Sequence, residues 1–417
     1  PKTDESQLIP APPPPQQEAN QKQTTTIVSD EAVVAPEDQG KIEVKDQKDS
    51  YDSEGYDVIV ENKFLSATQN PLSTFSIDVD EAAYSNIRRF LLSGSLPPAG
   101  AVRIEEMINY FDYSYTRPEN KEPFAVNTEM SDCPWNPQHK LVHIGLQGKE
   151  IPMENLPASN MVFLIDVSGS MDEPNKLPLV QASMKLLTDQ LRQDDKVAIV
   201  VYAGNAGLVL PSTNGANKTA IREAIDNLEA GGSTAGGEGI KLAYKTAREN
   251  FIKGGNNRII LATDGDFNVG VSSEDELVRL IEEERKSGVF LSVLGYGMGN
   301  YQDSKMQQLA DKGNGNHSYI DNINEARKVL VSEFGSTLFT IAKDVKIQIE
   351  FNPAKVQAYR LIGYENRMLA AEDFNDDLKD AGELGSGHTV TALYEIIPVG
   401  VKDNFTVSVD PLKYQAN

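Results

Sequence analysis

One cysteine, one tryptophan and four histidines are all that the 417 residues carry of these types. A lone Cys133 allows no disulfide within the chain and no thiolate metal cluster. His139, His143, His317 and His388 show no metal-binding spacing, and Leu141, Val142 and Ile144 make the one close pair read as strand residues. No apolar window approaches the length of a membrane span. Positive charge is also scarce, with 39 Lys+Arg against 62 Asp+Glu, a formal net charge of −23. Such a field repels phosphate backbones and anionic lipid surfaces, so no nucleic-acid partner is expected.

What is present divides the chain into five parts. Residues 1–66 hold Pro12-Pro13-Pro14-Pro15-Gln16-Gln17 and many acidic and amide residues. That composition buries too little surface to offset ordering entropy, and it reads as a disordered tail or tether. The chain starts at Pro1, as a processed or truncated product would, and a tether suggests an anchor upstream of it. Residues 67–123 read as a helical segment: Asp80 can cap a helix bearing Ile87, Phe90 and Leu91, and Ile104, Met107, Ile108 and Phe111 form a second apolar face. Residues 124–159 alternate as strands through Val142, Ile144 and Leu146. The same period returns in residues 339–417 at Val345, Ile347, Ile349 and Phe351, with further strands expected at residues 355–362, 389–397 and 405–409. The chain ends within strand-like sequence at Tyr414, as if part of the sheet were missing.

Residues 160–338 alternate strand and helix. The strand cores 161–165, 197–201, 259–262 and 289–294 are nearly continuous apolar runs, as parallel strands covered on both faces require. Leu177, Val180, Met184, Leu187 and Leu191 keep helical spacing, as do Ala326, Val329, Leu330 and Phe334. Residues 207–211 read as an antiparallel edge strand. The expected fold is therefore a doubly wound, Rossmann-like α/β domain inserted between strands that together form a β-sandwich, with a short N-terminal helical segment.

Such sheets bind ligands beyond the carboxyl ends of their strands. Two aspartates fall there, Asp166 in Asp166-Val167-Ser168-Gly169-Ser170 and Asp264 in Ala262-Thr263-Asp264-Gly265. Gly231-Gly232-Ser233-Thr234 is a third segment able to reach the same edge. Carboxylates and hydroxyls without sulfur or imidazole suit Mg²⁺, Mn²⁺ or Ca²⁺. Two carboxylates roughly balance a divalent ion, and at least one coordination place stays open.

The segments DVSGSM, GGSTAGGEG and ATDGD resemble the metal-ion-dependent adhesion site of the von Willebrand factor type A domain. The resemblance spans the whole central region and implies Asp166, Ser168, Ser170, Thr234 and Asp264 as metal-site residues, with Mg²⁺ the expected ion. It implies serine hydroxyls directly on the metal, aspartates often acting through water, and an open place that takes an Asp or Glu of a protein partner. Gly295-Tyr296-Gly297-Met298-Gly299-Asn300-Tyr301 and residues 313–321 look like a bacterial, envelope-associated subgroup, often lipoproteins. The expectation is a non-enzymatic, metal-dependent protein-binding module tethered in the cell envelope. The alternatives are a structural assembly component with an incidental metal, or a metal-dependent phosphohydrolase, which lacks a second metal cluster in the sequence. A lysine ammonium filling the space between the five groups would undo the metal reading.

Weaker signals have plainer explanations. The glycines at 295, 297 and 299 fit a tight turn better than a dinucleotide loop, because the third falls too early. Asp264-x-Asp266-x-Asn268 imitates a calcium loop but has Val269 where glycine is needed, and Asp266 reads as a solvated turn residue. Asp78 and Asp80 read as helix caps, Trp135 as a packed turn residue and His317 as a packing or surface residue.

Overall fold

The computed structural model describes residues 54–403 and 405, apart from 120, 233–235, 266–273, 334–338, 377–378 and 380. The central sheet has six strands in the order His317–Ile320, Val289–Tyr296, Asn256–Thr263, Ser159–Asp166, Lys196–Tyr202, Ala206–Asn214. The first five run parallel and the last is antiparallel, at the edge where residues 207–211 were expected.

The apolar run of the central strand is buried on both faces because its side chains alternate between two cores. Met161, Phe163 and Ile165 pack with Val180, Met184 and Leu187 of the helix Leu177–Gln190, and with Ala326, Val329 and Leu330 near the domain's end. Val162 and Leu164 face Ile240, Ala243 and Tyr244 of the helix Gly236–Glu249, with Leu277, Ile281, Met306 and Leu309 from two further helices. Each fully buried Leu, Ile, Val, Phe or Met contributes roughly 1.5–3 kcal/mol relative to exposure, so this strand, buried along its whole length, is firmly anchored. Its end, at Asp166, is correspondingly fixed.

Two antiparallel sheets are built from strands on either side of this domain in sequence. One runs Leu65–Ser66, Val356–Ile362, Thr389–Pro398, Asn136–Gly148, Phe124–Cys133, and the other Met368–Leu369, Leu72–Ser76, Thr340–Glu350, Gly382–Gly385. They share one core: Phe75 and Val345 from the second meet Leu146, Tyr359 and Tyr394 from the first. The helices of the N-terminal part lie at Ala82–Leu92 and Ile104–Asn109. The first rests against the edge of the central sheet, where Ser85 Oγ donates to the Tyr319 carbonyl at 2.6 Å.

Several expectations change. Residues 54–66 are not a loose tail: Glu54 pairs with Arg89 at 2.7 Å and accepts from Gly299 N at 2.8 Å, and Asn62 Nδ2 donates to the Gly363 carbonyl at 2.8 Å. The expected disorder of residues 1–53 lies outside the described residues. The segment read as helical also supplies the strand Leu72–Ser76, which pairs with Thr340–Glu350. Asp78 and Asp80 cap no helix; both face Arg367, and Asp80 Oδ1 accepts from His317 N at 2.7 Å. Trp135 is 55% exposed at a hairpin turn, not packed. His317 is buried beside Tyr301, whose hydroxyl lies 3.0 Å from Nε2. Phe334, residues 406–409 and Tyr414 lie outside the described residues.

The closing helix is short, Ile323–Arg327, and continues as a π-helical turn over Lys328–Ser332. Lys328 there bridges two carboxylates, Glu81 at 2.6 Å and Glu333. Burial, then the charge of Glu81, pushes the Glu333 carboxyl up to about 8, with Lys328 opposing. The folded chain therefore holds a proton that the unfolded chain releases above about 4.5. This contribution is present at low pH and is lost as the pH rises through about 8. Urea unfolding should show wild-type stability falling relative to Glu333→Gln between about pH 5 and pH 8, by on the order of 1 kcal/mol or more. Parallel pH profiles for the two proteins would contradict the assignment.

Candidate metal centre

Asp166 closes the central strand and is fully buried. The chain then turns through Gly169–Asp172, so Ser168 N donates to Asp166 Oδ1 at 2.9 Å and the Ser168 and Ser170 hydroxyls lie 3.1 Å apart. Thr263 Oγ1 donates to Asp166 Oδ2 at 3.2 Å from the neighbouring strand. Asp264 follows Thr263, and the Ser170 hydroxyl hydrogen-bonds to it. Gly265 must be glycine here, because a Cβ would come within 2.6 Å of Gln302 N at φ +91°.

Four of the five expected residues thus converge. Thr234 lies outside the described residues, as does Asp266. The glycines just before Thr234 do join the site: Gly231 N donates to the Val167 carbonyl at 2.7 Å and Gly169 N to the Gly232 carbonyl at 3.0 Å.

Two residues that the sequence did not single out complete the picture. Lys176, 4% exposed, places Nζ 3.1 Å from Asp264 Oδ2 and 3.2 Å from Asn300 Oδ1. Asn300 Nδ2 donates to the same Asp264 oxygen at 3.0 Å. The lysine ammonium that would undo the metal reading is thus present, but its hydrogen bonds go to Asp264 and Asn300 and not to Asp166, Ser168 or Ser170. It corrects the expected balance of two carboxylates against one ion by a third charge, and leaves the Asp166 end of the site to be tested. The two aspartates differ as a result. Burial, with Asp264's charge adding to it, pushes the Asp166 carboxyl up to about 6 despite the Ser168 hydrogen bonds. Burial also raises Asp264, but Asn300 and Lys176 outweigh it and hold that carboxyl below its ordinary range.

This donor set fits a hard cation at its Asp166 end. Among the described residues no three His, Cys, Asp or Glu side chains gather as a metal cluster, so the site depends on hydroxyls. Asp166 is a buried carboxylate short of positive charge, beside two hydroxyls, which is where an oxygen-seeking divalent ion would be held. Asp264, held by Lys176, would have to be shared with such an ion.

A doubly wound sheet with carboxylate and hydroxyl oxygens gathered at its strand ends defines a Rossmann-like α/β domain. Residues 160–332 match the von Willebrand factor type A domain, residues 50–143 a von Willebrand factor model, and residues 336–417 a model described as "Uncharacterized protein YfbK, C-terminal". The chain is a von Willebrand factor type A (VWA) domain protein. It is 50% identical over 366 residues to "Uncharacterized protein YfbK" of Escherichia coli (strain K12), covering 86% of this chain. It is 31% identical over 170 residues, 40% of this chain, to "Uncharacterized protein sll0103" of Synechocystis sp.. The chain spans 63% of the length of the first relative and 39% of the second. A solved structure, "von Willebrand factor type A from Catenulispora acidiphila", matches at 16% identity and a TM-score of 0.41, over 81% of this chain and 65% of that one.

Proposed function

We propose that the chain is a metal-dependent protein-binding module of the bacterial cell envelope. The observation that carries this reading is the convergence of Asp166, Ser168, Ser170 and Asp264 at the carboxyl edge of the sheet. These four, with Thr234, would hold the ion. Mg²⁺ suits the all-oxygen set best, with Mn²⁺ or Ca²⁺ as substitutes. The bound ion would supply an electrophilic centre for a partner's Asp or Glu carboxylate. The chain's own part is to fix Asp166 through Ser168 N and Thr263, and to keep the site's donors neutral apart from the two aspartates.

The surrounding architecture supports a recognition role. We read the two antiparallel sheets as one β-sandwich into which the VWA domain is inserted. The envelope assignment rests on the subgroup resemblance of residues 295–301 and 313–321, and the acidic, proline-containing residues 1–53 would serve as a tether, with a lipid anchor beyond it. A second reading, a structural assembly component with an incidental metal, is favoured by one observation: Asp264 already has a resident cation in Lys176.

Capture from a cell-envelope fraction separates these readings. Under the first, the immobilised protein retains a partner in Mg²⁺ buffer, and loses it in chelator and in Asp166→Ala. Capture that survives both changes, but is lost when residues 343–417 are removed, would replace it with the second.

A further inference from the structure

We propose that Lys176 is a built-in competitor for the proposed metal site, a tethered cation that holds Asp264 and thereby sets how tightly a divalent ion can bind. The proposal rests on the metal reading above and concerns what regulates that site.

The lysine is installed by the fold. Its backbone begins the turn into the helix Leu177–Gln190, with its N–H donating to the Glu173 carbonyl at 2.9 Å and its carbonyl accepting from Val180 N at 2.9 Å. Its aliphatic stem then crosses the bare Cα of Gly297, where a Cβ would stand 2.4 Å from Lys176 Cε and 2.7 Å from Cγ. Gly297 sits at φ +76°, so both the conformation and the space call for glycine. A stem confined in this way cannot swing out to solvent as a surface lysine does. A buried ammonium is tolerated only when it is paired and hydrogen-bonded, and Asp264 and Asn300 provide both.

The consequence follows from lone pairs and charge. Asp264 Oδ2 receives two donors, Lys176 Nζ at 3.1 Å and Asn300 Nδ2 at 3.0 Å, which occupy both lone pairs of that oxygen. An ion bound through Oδ2 must displace one of them. An ion bound elsewhere in the site still meets a carboxylate already neutralised, and an ammonium that repels it. Lys176 therefore raises the divalent-cation concentration at which the site loads, and a partner's carboxylate would help to overcome that threshold.

Titration calorimetry with MnCl₂ and MgCl₂ alone, on the full chain, tests the idea. Lys176→Met keeps the stem and removes the charge, while Lys176→Gln keeps a donor toward Asp264 should the methionine variant fold poorly. Both should bind roughly tenfold or more tightly than wild type, the scale expected when one nearby like charge is removed. Binding by the variants where wild type binds nothing measurable would support the proposal equally. Measurable affinity that is unchanged or weaker in both variants would overturn this proposal alone. No binding by any of the proteins would overturn it together with the metal reading.

Discussion

Wild-type protein should gain thermal stability from Mg²⁺ or Mn²⁺, and Asp166→Asn should lose that response entirely. A ligand that binds only the folded state stabilises by RT ln(1 + [L]/Kd), about 2.7 kcal/mol at a hundredfold excess over Kd. At roughly 2–4 °C per kcal/mol for a domain of this size, the shift is readily measured. The asparagine variant is chosen because its amide oxygen can still accept from Ser168 N, whereas alanine would leave Ser168 N and Thr263 Oγ1 without an acceptor. Without metal the variant should be as stable as wild type or more so at neutral pH. The Asp166 carboxyl is raised to about 6 by burial, so its charged form opposes folding above that pH. Equal metal-induced shifts in the two proteins, by scanning calorimetry against a chelator control, would remove Asp166 from the site.

What the sequence could and could not reveal follows from how each group is buried. The strand ends were legible because a parallel strand covered on both faces must be apolar throughout, and Asp166 breaks that run abruptly. Lys176 was not, since a lysine in the polar, proline-containing run from Asp172 to Pro178 has no apolar pattern around it to mark it as buried. The groups that hold it are remote in sequence: Gly297 against its stem, and Asp264 and Asn300 at its ammonium. The strand Leu72–Ser76 escaped notice for a related reason. Its buried side chains include Ser73 and Ser76, which are satisfied across the core by the Tyr394 hydroxyl at 2.9 Å and by Gly382 N at 2.7 Å. Hydroxyl-rich strands carry no apolar alternation. Glu54 was hidden in the same way, an acidic residue in polar sequence whose burial depends on the partner Arg89.

Arg103→Met should destabilise the protein by about 3–5 kcal/mol, the cost of stranding buried charges. Arg103 is 4% exposed and lies between Glu106 and Asp303, each 1% exposed. Its Nη1 donates to Asp303 Oδ2 at 2.5 Å, and its Nε donates to Glu106. Glu106 in turn accepts from Ala83 N at 2.8 Å. One guanidinium therefore joins the helices Ala82–Leu92 and Ile104–Asn109 to the helix Asp303–Lys312 of the VWA domain. Methionine fills much of the volume but leaves two carboxylates facing each other out of water. Restoring neutrality with Glu106→Gln and Asp303→Asn in the same chain should recover most of the loss, because the cost is uncompensated charge and not missing packing. The effect should also reach the proposed metal site. Asp303 follows directly on Gln302, whose backbone nitrogen abuts Gly265, and Asn300 holds Asp264. Urea unfolding should thus show a large drop for Arg103→Met, and calorimetry a weaker Mn²⁺ affinity than wild type. A loss under about 1 kcal/mol would mean that water reaches the pair, and that the other links, Arg88 to Asp321 and Glu325 and Ser85 to the Tyr319 carbonyl, hold the N-terminal helices to the domain.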